Sequence, residues 1–343
     1  MGKTLGTSFT RFSGLYLWAL FIVIFALWVP DTFLTKGTAQ SIASTQAVTG
    51  LAAMGLVCAM AAGAFDLSFA GVLGLSSTVG ASLMARSGVA PALAIVVCLA
   101  LGLGVGLLNG LLVTKLRIPS VVATLGMSSL LLAADNKITN GEYIDGVPAS
   151  YADLAQHRPI GIPITAIFLF VAAVAVWALL EHSRPGRRLY ATGMNPEAAR
   201  LGGVNTSRMT VLALTISGGF ASVAGLVLLA QVGSGTPNVG QGYLLPVFAA
   251  VFLGATQVRP GRFNVWGTIL AIYLLATGVQ GLQLAGGQYW VNDAFNGAAL
   301  LIAVAFAELA ARRRGGGFLG RRRPPQEPAR DEVAAPAGEP TAV

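Results

Sequence analysis

Apolar runs close to 20 residues long recur along most of this chain, and they leave few folds open. Each is about the length a helix needs to cross a ~30 Å hydrocarbon core. Backbone polar groups inside lipid must be satisfied internally, so a spanning element is a helix or a strand of a closed barrel. Barrel strands would show short segments of alternating polarity instead, and the runs here are continuously apolar. The chain therefore reads as an all-α polytopic membrane protein. Only 10% of its 343 residues are charged, against about a quarter in a soluble domain.

Ten transmembrane helices are expected, at 12–29, 41–63, 69–85, 91–113, 119–134, 162–180, 207–231, 243–257, 265–283 and 290–310. They divide the chain into an N-terminal segment 1–11, a membrane domain 12–310 and a tail 311–343. The first run is too long, and lacks a small-residue cleavage site, to read as a signal peptide. With the N-terminus in the cytoplasm, eighteen of the 22 Lys and Arg residues fall on that side. Among them are Lys3, Arg11, Lys115, Arg117, Arg208, Arg259, Arg262 and the seven tail arginines. Only Lys36, Arg86, Lys137 and Arg158 fall outside. Cationic residues accumulate in cytoplasmic loops, so both termini are placed in the cytoplasm. This asymmetry accounts for the net charge of +8 without nucleic acid as a partner. The tail, two Arg triplets followed by a Pro-, Ala- and Glu-rich stretch, cannot build a core and is expected to be disordered. Its arginines suit the anionic headgroups of the lipid bilayer.

One polar interruption, 181–206, carries strong structure signals of its own. It holds Arg184, Arg187, Arg188 and Arg200 against Glu181 and Glu197. Within it, Asn195, Pro196, Glu197, Ala198, Ala199 and Arg200 read as one short helix. Asn195 is a good N-cap, and Pro196 fits the first helical position. Glu197 and Arg200 complement the two ends of the helix dipole. Gly202 or Gly203 supplies the left-handed stop. So short a helix is marginal alone in water, so a protein partner at the membrane surface is expected for it. The largest outer loop, 135–161, holds Asp135, Glu142, Asp145 and Asp153. It reads either as a contact for a soluble partner or as a solvated connector.

No catalytic constellation stands out. The two histidines, His157 and His182, fall in loops on opposite membrane sides, so no His-centred metal site or triad forms. Gly2-Lys3-Thr4 lacks the earlier glycine of a phosphate loop, so the chain is not expected to bind ATP. Cys58 and Cys98 lie in apolar runs without a metal or disulfide spacing. Gly102, Gly104, Gly106 and Gly110 share one run and read as close helix packing, as do Gly218, Ala221, Ser222 and Gly225. Polar residues inside spans are costly and therefore informative. Asp66, in the break 63–68, reads as a cap for the next helix or as a substrate or gating residue. It lies either in a cytoplasmic turn or in a deeper unwound segment. Ser68, Asn109, Thr124, Gln231 and Asn296 are candidates for the solute pathway, with Asn238, Gln280 and Gln283 nearby. Uncharged hydrogen-bonding groups suit a neutral, hydroxyl-rich solute and also serve as interhelical glue.

Four stretches, taken in order, resemble the permease subunits of bacterial ABC importers for ribose, xylose, arabinose and galactose. They are GAFDLS at 63–68 and Asn109-Gly110-Leu111-Leu112-Val113, with Lys115 to Pro119 and Thr124-Leu125-Gly126 after it. Then come Gly193 to Arg200 with Gly203-Val204-Asn205, and Gly254 with Gly261-Arg262 and Gly267-Thr268. The chain departs from the family pattern at Ala64-Phe65 and at 128–136, and the individual sugar is left open. The resemblance implies that Gly193, Asn195, Pro196, Glu197, Ala198, Ala199, Arg200 and Gly203 form a coupling helix docking on an ABC ATP-binding subunit. It further implies a second permease subunit, most simply a homodimer, and a periplasmic or lipid-anchored solute-binding protein. The setting would be the bacterial inner membrane, and ATP would be bound by the partner, with no cofactor in this chain. Nucleosides and branched-chain amino acids travel through related permeases. A self-sufficient secondary transporter is the alternative from another class.

Overall fold

The structure, a computed structural model, describes residues 13–288 and 290–313, with side chains as far as 305 in the last helix. The segment 1–11 and most of the tail 311–343 lie outside the described residues. The elements run α1 (Ser13–Trp28), α2 (Pro30–Phe33), α3 (Lys36–Ala61), α4 (Ser68–Ala81), α5 (Pro91–Lys115), α6 (Ser120–Thr139) and α7 (Ala149–Gln156). They continue as α8 (Ile164–Trp177), α9 (Arg184–Met194), α10 (Pro196–Leu201), α11 (Thr206–Val232), α12 (Leu244–Gly254), α13 (Val265–Leu284) and α14 (Trp290–Arg313). Wide π-type turns extend α4 through Arg86 and α8 through His182. Among the described residues the only β feature is one antiparallel bridge, Ile144 to Gly235.

Seven helices are long and apolar enough to cross a membrane, each on one of the expected spans. Shorter apolar helices, Ser13–Trp28, Val239–Gly254 and Trp290–Ala305, occupy the other three expected positions. All four motif stretches meet at one end of the bundle. There lie Lys115, Arg117, Arg184, Arg187, Arg188, Arg200, Arg208, Arg259 and Arg262, while Lys36, Arg86, Lys137 and Arg158 lie at the other.

The bundle has a centre and a rim. In α3 and α4, 72% and 78% of the apolar window is buried, against 22% in both α5 and α6. Leu93, Val96, Leu103, Leu107 and Leu111 of α5 face outward, as do Val122, Leu125 and Leu130 of α6. Hydrocarbon tails solvate such faces at no cost, so helix association rests on close packing instead. The α5–α11 crossing has that character. A Cβ on Gly102, Gly106 or Gly110 would run into the backbone of Gly218, Leu214 or Val211. Gly225 of α11 meets the Leu73 carbonyl of α4 in the same way. Gly104 is the exception among the expected packing glycines, because nothing lies within 4 Å of its Cβ position.

Two local expectations are corrected. Asp135 lies inside α6 and not in the outer loop. Its carboxylate accepts from Thr78 Oγ1 at 2.5 Å and from the Asn238 backbone N–H at 2.7 Å. The outer loop also contains a helix, α7, anchored where Tyr151 donates to the Leu226 carbonyl at 2.8 Å.

Candidate functional site

Helix α3 ends at a left-handed turn, with Gly63 at φ +75°. A Cβ on Gly63 would come within 3.1 Å of Gly193 Cα at the end of α9, and one on Gly193 would strike the Ala61 carbonyl. Both positions therefore demand glycine, and the first and third motif stretches are in contact. Past this turn, 64–67 is unwound, which frees backbone donors inside the protein. Helix α6 takes them. Ser120 Oγ accepts from Phe65 N and Thr124 Oγ1 from Leu67 N, each at 3.1 Å.

Asp66 closes the knot. Its Oδ1 accepts from Ser68 N at 2.9 Å and from Ser68 Oγ at 2.6 Å. Asn109 Nδ2 of α5 donates to Ser68 Oγ at 2.8 Å. The Phe69 N–H and the Ser217 hydroxyl of α11 also lie within electrostatic reach of the carboxylate, though Ser217 Oγ and Asn109 Oδ1 make no well-formed hydrogen bond. An anion accepting the first N–H groups of α4 is favoured by the helix dipole, so the geometry is that of a cap. Asp66, Ser68, Asn109 and Thr124 are thus brought together, none more than 1% exposed.

The short helix α10 projects beside this knot. Asn195 Oδ1 accepts from Ala198 N at 3.0 Å, and Pro196 opens the first turn. At the far end Gly203, at φ +79°, is the left-handed residue; Gly202, at φ −78°, is not. Gly203 N donates to the Arg200 carbonyl and Val204 N to that of Ala199, each at 2.9 Å. These two bonds satisfy carbonyls that a helix end otherwise leaves open. Arg200 Nε donates to Thr206 Oγ1 at 2.8 Å, tying α10 to the start of α11. Ala199 faces inward, while Glu197 and Ala198 are exposed. Met194 and Leu201 flank them at 84% and 91% exposure.

The arm bearing α10 is braced against the loop before α13. Glu181 pairs with Arg259, and more loosely with Arg262 at 3.8 Å. The Arg262 guanidinium lies 3.5 Å from the centroid of the Tyr190 ring, and Tyr190 donates to the Phe263 carbonyl at 2.7 Å. Burial pushes the Tyr190 phenol up to about 12. Asn264 Nδ2 gathers the carbonyls of Gly254, Gln257 and Arg262, while its Oδ1 caps α13 at Gly267 N. A cavity of about 760 Å³ opens under α10, edged by Gly63, Arg117, Ser120, Gly193 and Arg200.

The remaining pathway candidates sit elsewhere. Gln231 Nε2 donates to the Ser44 carbonyl at 2.7 Å, at the end of the bundle away from α10. Asn296 bonds Asn292 of its own helix and lines a separate cavity of about 380 Å³ with Gln280 and Gln283. Gln46 and Tyr243 belong to this second end and were not singled out from the sequence. Their neighbours come from distant segments, so local spacing carries no trace of them.

A family model described as the branched-chain amino acid transport system / permease component matches residues 38–304. The chain belongs to this permease family. The ribose import permease protein RbsC of Bacillus subtilis (strain 168) is 32% identical over 293 residues, covering 85% of this chain and 91% of that protein. The protein of the same name in Escherichia coli (strain K12) is 31% identical over 276 residues, covering 79% and 86%. The autoinducer 2 import system permease protein LsrD of Yersinia enterocolitica is 30% identical over 261 residues, covering 74% and 78%. No solved structure matches the chain significantly. These relatives support an ABC sugar importer permease, a multi-pass membrane protein of a transport family and not of an enzyme family.

Proposed function

We propose that this chain is the membrane subunit of an ATP-driven importer that carries a monosaccharide across the bacterial inner membrane. In this reading ten helices span the bilayer with both termini cytoplasmic, and α10 is the coupling helix. An ABC ATP-binding subunit receives Glu197, Ala198 and the exposed Met194 and Leu201 in a groove, and ATP is bound there. A solute-binding protein delivers the sugar at the opposite face, and a second permease subunit completes the pathway. The observation that carries the reading is the mounting of α10. It is capped at both ends, exposes Leu201 with Met194 of α9 beside it, and rests through Gly193 on Gly63 beside the buried knot. Large exposed apolar side chains at the polar end of a membrane protein mark a docking face. The rigid seat lets a push on α10 reach α3, α4 and α6.

Replacing Glu197 by Arg or Ala198 by Trp should abolish co-purification of the ATPase subunit while the permease stays in the membrane. Retention of both ATPase binding and uptake would overturn the assignment of α10. Permeases for nucleosides or branched-chain amino acids are the nearest alternatives within the class, and a panel of labelled solutes separates them. A stand-alone transporter would instead move solute in proteoliposomes holding this chain alone, without ATP.

A further inference from the structure

We infer that the cavity bounded by Gln46, Thr49, Tyr243, Gln280, Gln283 and Asn296 receives a neutral, polyhydroxylated solute of monosaccharide size. The inference takes its solute class from the sugar-importer reading above and its location from the cavity alone. The space is about 380 Å³, within the usual range of about 300–1,000 Å³ for small-molecule pockets. It lies between α3, α12, α13 and α14, at the end of the bundle away from α10.

Two properties separate it from ordinary helix packing. First, its glutamine amides are not glue. Gln46, Gln280 and Gln283 make no side-chain hydrogen bond to any described residue. Gln231 and Gln40, in the neighbouring cavity, are instead bonded to Ser44, Gly161 and Arg158. Amides that bridge helices are spent on the fold. Those left open are free to exchange hydrogen bonds between water and a guest, each offering donors and an acceptor.

Second, no Asp, Glu, Lys, Arg or His lines the cavity among the described residues. A zwitterionic amino acid would bring two formal charges into it without a charged partner, which is costly. A sugar brings only hydroxyls, and it has apolar faces for Ile272 and Leu275. The Tyr243 wall is also fixed in place. It belongs to a single turn, Val239–Tyr243, held at Asn238 N by buried Asp135 at 2.7 Å and packed at Gly240 against the Ala70 carbonyl. Asp135 is therefore a positioning residue for the pocket.

The test uses the complete transporter, with its ATPase and binding protein, in proteoliposomes given labelled D-ribose, D-xylose, D-galactose or L-leucine. Q46L and Q280L should each lower uptake of the transported sugar about tenfold, the cost of one or two lost hydrogen bonds, with ATPase co-purification unchanged. Q280C supplies a readout that does not depend on how the leucine variants fold. Its thiol should react with a water-soluble maleimide after assembly, be protected by the transported sugar, and block uptake once modified. Cys58 and Cys98 are buried and give a silent background. Wild-type sugar uptake in both leucine variants, together with normal uptake by labelled Q280C, overturns the pocket and leaves the importer reading standing. Uptake of none of the three sugars by the wild-type complex overturns the sugar reading, and the ligand class assigned to the pocket with it.

Discussion

At the α10 end, Asp66, Ser68, Asn109, Ser120 and Thr124 are joined by hydrogen bonds from 2.6 to 3.1 Å, and two glycines press backbone against backbone. At the opposite end, Gln46, Gln280 and Gln283 face a cavity with no partner in the described protein. Both sets are uncharged or singly charged polar groups within an apolar bundle, and residue type alone does not tell them apart. The difference lies in what each group bonds. In the proposed reading, polar groups bonded within the fold hold the seat of a helix that transmits force. In the same reading, polar groups left open line a space that exchanges its contents. In the proposed reading the five residues of the knot serve coupling and Gln46, Gln280 and Gln283 face the solute, while Asn296 lines the same cavity with its amide bonded to Asn292.

The comparison breaks most readily through its glycines. G193V places a side chain into the Ala61 carbonyl and Gly63 N. Overpacking an ordinary core side chain costs about 1–3 kcal/mol, and a collision with backbone on both sides costs more. The α9–α10 arm should lose its seat, with ATPase capture and uptake falling below detection. G242A at the pocket end meets nothing within 4 Å and should leave assembly and thermal stability unchanged. Equal damage from the two variants would erase the distinction.

A smaller effect comes from the polar side chains. D66A strands the Ser68 N–H and hydroxyl in a buried site, at about 1–3 kcal/mol, and should lower the thermal midpoint of the purified complex by several degrees. Q280A removes no bond within the protein and should stay within about 0.5 kcal/mol of wild type. Their difference in uptake should run the other way at limiting sugar, where Q280A acts on binding.

The smallest effect is on alkaline stability. The buried Tyr190 phenol titrates near 12 in the folded protein, against an ordinary value of 10.0. Between those values the unfolded chain releases this proton and the folded chain keeps it, so Tyr190 favours folding below pH 10 and loses stabilisation as pH rises through 12. Y190F should flatten the difference in stability between pH 9 and pH 11, and it also removes the bond to the Phe263 carbonyl, worth about 1 kcal/mol. An unchanged pH profile would show that the Tyr190 phenol is reached by water in the folded protein.

Much of this architecture was legible beforehand because its signals are local. Hydropathy located all seven long helices to within about five residues at each end, and Asn195-Pro196 marked α10 because capping acts over three or four residues. The choice between Gly202 and Gly203 was not legible, since either can adopt φ > 0. Three of four glycines in α5 pack on α11, but Gly104 points away, a helical phase that composition does not carry. Asp135 was misplaced because an acid usually ends a span. It stays inside because Thr78 and Asn238, 57 and 103 residues away in sequence, satisfy it. The pocket escaped for the same reason. Gln46, Tyr243 and Gln280 come from three segments, and only the fold reveals that they face one another unbonded.

The orientation of α10 is the point on which the coupling account turns. Ala198→Cys, at an exposed position, can be treated with a membrane-impermeant maleimide in right-side-out and in inside-out vesicles. The native cysteines, both buried, stay silent. Labelling confined to inside-out vesicles, and suppressed when the ATPase subunit is present, is the expected result. Labelling from the outer face would contradict it.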